Sequence, residues 1–427
     1  MERIARKTGF MQRRGKLSAK SFLHSVLFHC FNGRQMSLND HLLDLDMHQG
    51  ISLRKQSLFE RFNHKAVAFL KYLVEAQLSV KWSGALQWKW LEPFEEVLIE
   101  DSVRFQLPDH LKGTYPGNGG DASAAGAHLQ FAFDLKSGHI KTMSVNHAQY
   151  QDQKVARDQI SRITKNTLII RDLGYFAIDV LEAIQQKEAF FISRLKPKMT
   201  IYEQHKGQWI KIQVDQLYKQ LKQSKQPYLE KPVYIGPNKF PVRLLIELMP
   251  DHIVEDRLRK AKKQAVKKGR HLTDLYKSFA RLNLFITNIP SADLPANQIH
   301  QLYRLRWQVE LVFKTWKSYF QFHQFKKMSL HRTECYLYAS LLFIVTGWEL
   351  YYRLANILWR EKQKLISKMK FAKAWIQYKT KWRAVLCSPR FKIHQLVNEL
   401  YDFSRIYLVQ DSRKNSHNLE DYLPVYD

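Results

Sequence analysis

The chain has 427 residues, 45% of them hydrophobic, and its 68 Lys and Arg against 39 Asp and Glu give a formal charge of +29. That apolar content over that length sustains a large core divided among two to four domains and excludes a disordered tail. The cationic excess, spread along the chain, points to a polyanionic partner, with nucleic acid ahead of an anionic membrane surface.

The opening residues, MERIARKTGFMQRRGK, are basic, but no apolar stretch or small-residue cleavage site follows, so the expected location is the cytoplasm, with the nucleoid. The longest apolar run, residues 335–348, has 14 residues; roughly 20 are needed to cross a bilayer, so the run reads as a buried helix and no membrane partner is expected. Cys30, Cys335 and Cys387 are odd in number and far apart, which fits reduced thiols and offers no zinc-ligand spacing, so any metal should be held by oxygen.

From about residue 17 to 80 the pattern is helical. Ser37 with Asp40 resembles a capping box, Gly50 marks a turn, and Ser52 is placed to cap a second helix. In that helix Leu58, Phe59 and Phe62 face inward while Arg54, Ser57 and Arg61 share another face, the layout of a helix-turn-helix unit; any two-helix corner looks similar. The tryptophan-rich join WSGALQWKWLEPF follows, its Trp82, Trp88 and Trp90 expected to pack. Three strands come next, EEVLIEDSVRFQL, AHLQFAFDL and HIKTMSV, the latter two a hairpin. A helix over 152–163, the strand NTLIIRD, a helix over 176–186 and the strand AFFISRL complete the order of a ribonuclease-H-like α/β core.

After Leu195 the chain leaves that order, since IYEQHKGQWIKIQV and YIGPNKFPVRLLIELM alternate like an antiparallel sheet. RLRKAKKQAVKKGR, residues 257–270, carries eight Lys or Arg in fourteen positions. It is either a solvated basic segment or a phosphate-contacting one, with Lys262 and Lys263 at its centre. A strand resumes at RLNLFITNIP, then a helix, and beyond Trp348 the sequence is helical and basic to about residue 405.

Two strands end alike, VLIED at Asp101 and LIIRD at Asp172. Apolar runs of that kind belong to buried central strands, and adjacent strands would bring both acids to one sheet edge. Each Asp alone also suits a turn or a helix cap. The later helix, YRLRWQVELVFKTWK, puts Tyr303, Arg306, Glu310 and Lys317 on one stripe and Leu305, Val309, Val312 and Trp316 on another. Its charged face reads either as a surface laced with i,i+4 ion pairs or as a catalytic acid among phosphate-binding cations. Neighbouring carboxylates resist joint ionisation unless a cation balances them. Mg²⁺ does so, and Asp101, Asp172 and Glu310 together would hold a pair of ions about 3.5–4 Å apart for phosphodiester chemistry. Arg306 and Lys317 would then grip flanking phosphates, Tyr303 would hydrogen-bond one, and Trp307 or Trp316 would either stack on an extruded base or pack in the core.

Tyr303, Arg306, Glu310 and Lys317 match the spacing Y-x2-R-x3-E-x6-K, and the chain resembles the insertion-sequence-4 family of bacterial DDE transposases. The segment EDSVRFQLPDHLKGTYPGNGGDASAAGAHLQFAFDLKSGHI is similar to that family's first catalytic block, and RDLGYFAIDVLEAIQQKEAFFISRL to its second. The likeness covers roughly residues 95–345; Ser102 and Val103 depart from the Ser or Thr that many relatives carry two positions after the first acid. The resemblance implies a ribonuclease-H-like core interrupted by a β-rich insertion and flanked by helical regions. The expected division is 1–85 for end binding, 86–195 and 284–348 for the core, 196–283 for the insertion, and 349–427 for a helical region suited to dimerisation. It further implies Asp101, Asp172 and Glu310 as metal ligands for two Mg²⁺, with Mn²⁺ as substitute, and cut-and-paste transposition. The partners would be double-stranded DNA with terminal inverted repeats, target DNA and a second copy of the chain. Arg54 and Arg61 are the expected contacts to the ends. Two other readings stay open at this point, a DNA-binding inhibitor of transposition without catalysis and a nuclease on the same core that cuts without preference for particular ends.

Overall fold

A computed structural model describes residues 1–13, 15–29, 37–79, 91–120, 123–267, 269–387 and 393–409. Among the described residues five α-helices come first: α1 (Glu2–Lys7), α2 (Ala19–Leu27), α3 (Leu38–Gln49), α4 (Lys55–Phe59) and α5 (His64–Leu78). Next come β1 (Glu96–Leu107), β2 (Ala125–Asp134), β3 (Ile140–His147), α6 (Asp152–Asp158), β4 (Thr167–Arg171), α7 (Ile178–Gln186) and β5 (Phe190–Arg194). The middle of the chain holds β6 (Ile201–His205), β7 (Gln208–Ile212), α8 (Val214–Ser224), β8 (Tyr228–Ile235) and β9 (Phe240–Leu248). It continues with α9 (Asp251–Lys267), α10 (Asp274–Ala280), β10 (Leu282–Thr287) and α11 (Ala296–Thr315), and closes with α12 (Leu330–Lys362), α13 (Lys368–Gln377), α14 (Lys379–Cys387) and α15 (Ile393–Tyr407). The chain divides into two compact units, one of residues 1–86, 102–150 and 309–421, the other of 87–101, 151–308 and 422–427.

The first unit is built around α12. Its apolar run is buried, from Cys335 through Tyr336, Leu341 and Ile344 to Trp348, as the sequence predicts, and no helix among the described residues is long and apolar enough to cross a membrane. The Tyr336 hydroxyl reaches His41 Nε2 on α3, and Ser25 Oγ meets the other ring nitrogen at 2.6 Å. The β2–β3 hairpin turns at Gly138, where φ is +74° and a Cβ would strike the Tyr352 ring. Only glycine fits that left-handed turn without a clash, and Trp348 Nε1–H donates to its carbonyl at 3.2 Å.

The amino-terminal corner corrects the helix-turn-helix expectation. The Ser37–Asp40 capping box forms and Gly50 ends α3 with φ +62°, but Ser52 caps nothing. The next helix, α4, has five residues and Arg54 as its N-cap, too short for a recognition helix. Asn63 then accepts from the Lys65 and Ala66 amides and starts α5, which leaves Arg61 between helices and not on a face with Arg54. Leu58 and Phe62 are buried as expected, whereas Phe59 is 45% exposed. Trp82, Trp88 and Trp90 of the join lie outside the described residues.

In the second unit the strands follow the order β1-β4-β5-β10-β9-β8-β6-β7. β1, β4 and β5 are parallel, and β10 runs antiparallel to both β5 and β9. Every residue of β4 is buried, which requires apolar cover on both faces and explains its aliphatic sequence. Helix α7 packs against the neighbouring strand β5 and buries Val180, Leu181 and Ile184. The segment expected as a β-rich insertion does contain the antiparallel strands β6 to β9, but it also holds α8, α9 and α10. The apolar positions Val214, Leu217 and Leu221 of α8 are buried at helical spacing, a period hidden between two alternating strands.

Candidate active site at the strand ends

Register decides where the first two acids go. β1 and β4 pair Glu96 with Thr167 through Glu100 with Arg171, so Asp101 and Asp172 follow side by side, with Asp172 still extended at φ −72° and ψ 163°. Side chains alternate along a strand, so the face that receives the aspartates is opposite the one that receives Glu100 and Arg171. The pairing inferred from VLIED and LIIRD is thus present as adjacent central strands.

Arg306 on α11 donates from Nη1 to Asp101 at 3.2 Å, and both side chains are largely buried. The sequence placed this arginine on flanking phosphate; here its cation offsets an aspartate that would otherwise repel its neighbour. Tyr303, one turn earlier, is only 8% exposed, its ring 4.7 Å from that of Phe285. Its hydroxyl lies against the Arg306 guanidinium and has no acceptor for its own proton. Burial chiefly, with the charge of Asp172 adding and Arg306 and Arg194 opposing, pushes that phenol up to about 12. Tyr303 is therefore a neutral, buried hydroxyl and not part of an open charged face.

Arg194 was missed. It ends β5, the third parallel strand, whose Ile192 registers with Ile170 of β4; two residues on, Arg194 comes beside Asp172 at the same edge. The signal was available, because FFISR finishes on a charge as VLIED and LIIRD do.

The remaining predicted residues fall elsewhere. Glu310 and Lys317 belong to the first unit. Glu310 stands one turn after Arg306 on α11 and is partly exposed. Lys317 lies beyond α11 in a π-helical turn, Trp316–Phe320, so the simple 3.6-residue stripe does not continue to it; burial lowers its ammonium pKa. Leu305, Val312 and Trp316 are buried, as the dry stripe requires. Trp307 is 57% exposed and is not core. Arg54 is exposed and Arg61 half-buried. Lys262 and Lys263 are exposed on α9, none of whose residues is buried. Among the described residues no group of three or more His, Cys, Asp or Glu stands in position to hold one metal ion.

The chemistry of the donor set still suits a hard divalent cation. Two carboxylates share one edge, one of them already carrying a guanidinium, and neither sulfur nor imidazole ligand is needed.

Residues 92–345 match the family model described as Transposase DDE domain. The chain is 31% identical over 388 residues to the transposase for insertion sequence element IS231B of Bacillus thuringiensis subsp. berliner, covering 87% of this chain and 80% of that protein. It is 30% identical over 438 residues to the transposase for insertion sequence element IS1151 of Clostridium perfringens, covering 97% and 91%. Among solved structures, a piggyBac transposase synaptic complex with hairpin DNA aligns at a TM-score of 0.44 and 10% identity, covering 99% of this chain and 84% of that one.

Proposed function

This chain belongs to the Transposase DDE domain family, and on that premise we propose that it is a DNA transposase of the insertion-sequence-4 type. It would bind the terminal inverted repeats of an insertion sequence, cut there and join the freed ends to target DNA. The observation that carries this reading is the adjacent strand-end pair Asp101 and Asp172, set by the β1–β4 register and already countered by one cation. The parallel order β1-β4-β5 with a helix crossing from β4 to β5 supports assigning a ribonuclease-H-like core.

Asp101, Asp172 and Glu310 would hold two Mg²⁺, or Mn²⁺ in their place. When bound, the metal supplies activation of the attacking oxygen and charge relief on the leaving one. The residues around it do the rest. Arg306 restrains Asp101 and limits carboxylate repulsion, and Arg194 adds positive charge beside Asp172; Lys317 would grip a flanking phosphate. Tyr303 offers a neutral O–H that finds its acceptor in a substrate phosphate. Trp307, which is exposed, would stack on an extruded base. Lys262 and Lys263 contact phosphate without reading sequence. Arg54 and Arg61 remain assigned to the ends as backbone contacts, since they share no helix face. A homodimer bridging both ends, with residues 349–427 as its interface, completes the proposal.

The test is cleavage of a linear duplex carrying the inverted repeats that flank the reading frame, with Mg²⁺ or Mn²⁺, against a scrambled duplex. Cutting confined to the repeat ends and abolished by Asp172→Asn is the expected result. Cutting indifferent to the ends would replace the transposase reading with a plain nuclease.

A further inference from the structure

Glu100 and Arg171 each stand one residue before a strand-end aspartate, and no step of the chemistry above uses them. Each is 5% exposed. Arg171 Nε–H donates to the Glu100 carboxylate, and the two are register partners across β1 and β4. Both Nη groups of Arg171 are buried without a hydrogen-bond partner, the guanidinium lying 5.8 Å from the Tyr175 ring centroid.

Such a pair is a poor stability device. Taking two charges out of water is costly, and a well-packed apolar pair of similar volume is often as stable or more so; two unmet donors add to the cost. What the pair supplies is register. Val97, Leu98 and Ile99 on β1 face Leu168, Ile169 and Ile170 on β4, and such aliphatics are nearly interchangeable. A two-residue slip keeps every side chain on its own face, so hydrophobic pattern alone resists it weakly. At about 3.3 Å per residue the slip would move Asp172 about 6.6 Å along β1 from its place beside Asp101. It would also leave Glu100 and Arg171 each buried and uncompensated, which is strongly disfavoured.

We propose that the Glu100–Arg171 pair is a registry key, a positioning pair that fixes β1 against β4 so that Asp101 and Asp172 present their carboxylates together to a divalent cation. It rests on the reading of those two acids as metal ligands.

The test uses full-length protein with Glu100→Leu and Arg171→Met combined, an apolar pair in place of the charged one. The melting temperature should hold or rise, Mn²⁺ affinity measured by electron paramagnetic resonance should weaken at least tenfold, and nicking should fall in kcat with KM little changed. In the metal-free protein, amide hydrogen exchange across β1 and β4 should quicken. A folded double variant that binds Mn²⁺ and cuts within twofold of the parent, with unchanged exchange, overturns the proposal. Should the double variant not fold, Glu100→Gln keeps an acceptor for Arg171 without the charge. It is expected to lose several-fold in Mn²⁺ affinity, and unchanged affinity in that variant overturns the proposal as well. Asp172→Asn separates the two layers of argument. If Mn²⁺ binding ignores it, the metal assignment falls, while the exchange measurement on metal-free protein still decides whether the pair sets register.

Discussion

Helix α9 buries none of its residues and leaves Lys262 and Lys263 in water, whereas on α11 Tyr303 is buried and Arg306 is bound to Asp101. Both helices belong at least in part to the second unit and both are basic in sequence, yet their cations meet different dielectric surroundings. An exposed ammonium interacts weakly with any one partner, is screened by salt, and acts additively with its neighbours. A guanidinium held against a largely buried carboxylate is screened far less, and its removal leaves the carboxylate's charge uncompensated. On the proposed function, one helix would serve affinity and the other chemistry. Arg257 ties α9 down, donating to the Ala280 and Leu282 carbonyls and to Asn283.

The contrast predicts effects of unequal size. The largest belongs to the acids that α11 faces. Asp172→Asn should reduce end cleavage by about 10³-fold or more, equivalent to several kcal/mol of transition-state charge stabilisation, with duplex binding at low salt changed less than twofold. Comparable cleavage in the variant, measured by gel assay over a full time course, would remove Asp172 from the site.

Next is Arg306→Ala. Losing a largely buried partner of Asp101 should slow cleavage about 10–100-fold, the range for residues that orient metal ligands. The metal-free protein should lose about 1–3 kcal/mol in denaturant unfolding. Mg²⁺ should then raise the melting temperature more in the variant than in the parent, because the ion replaces the missing cation. An equal metal-induced shift would mean that Arg306 does not shield this carboxylate.

Lys262→Ala with Lys263→Ala tests the other helix. Removing two phosphate contacts should lower the magnitude of the log K against log salt slope by about 1.8, leaving the single-turnover rate on saturated complex unchanged. A rate defect at saturation would place α9 in the chemistry and erase the contrast.

How much of this was legible depends on how local its cause is. A buried parallel strand needs an aliphatic run, so VLIED and LIIRD announced both strands and both acids. The Ser37–Asp40 box and Gly50 turn depend on a few neighbouring residues, and they formed. Ser52 failed because a potential cap does not decide whether a helix propagates; Arg54 stands at the start of α4 without a side-chain cap, and Asn63 caps α5. The π turn at Trp316–Phe320 leaves no mark in the pattern, so Lys317 was placed on a stripe that stops short of it. Nor does spacing report burial, which is why Tyr303, read on the charged face, is buried, while Trp307, left open between stacking and core, is exposed.

Tyr303 gives the smallest expected effect and the finest test of the contrast. Its hydroxyl is buried beside the Arg306 guanidinium with no acceptor for its own proton, and a buried donor left unsatisfied costs about 1–3 kcal/mol. Tyr303→Phe should therefore leave the free protein as stable or slightly more so. A hydroxyl kept at that cost is accounted for if it donates to a phosphate oxygen only when DNA is bound. The variant should then lose a few-fold in cleavage rate at saturating DNA, about 1 kcal/mol, as expected for one neutral hydrogen bond. Because the phenol is held up to about 12, the rate ratio between the two proteins should stay flat from pH 6 to 9. A ratio that changes across that interval would show the hydroxyl ionising or acting as a proton donor, and Tyr303 would move from phosphate binding into the acid–base chemistry.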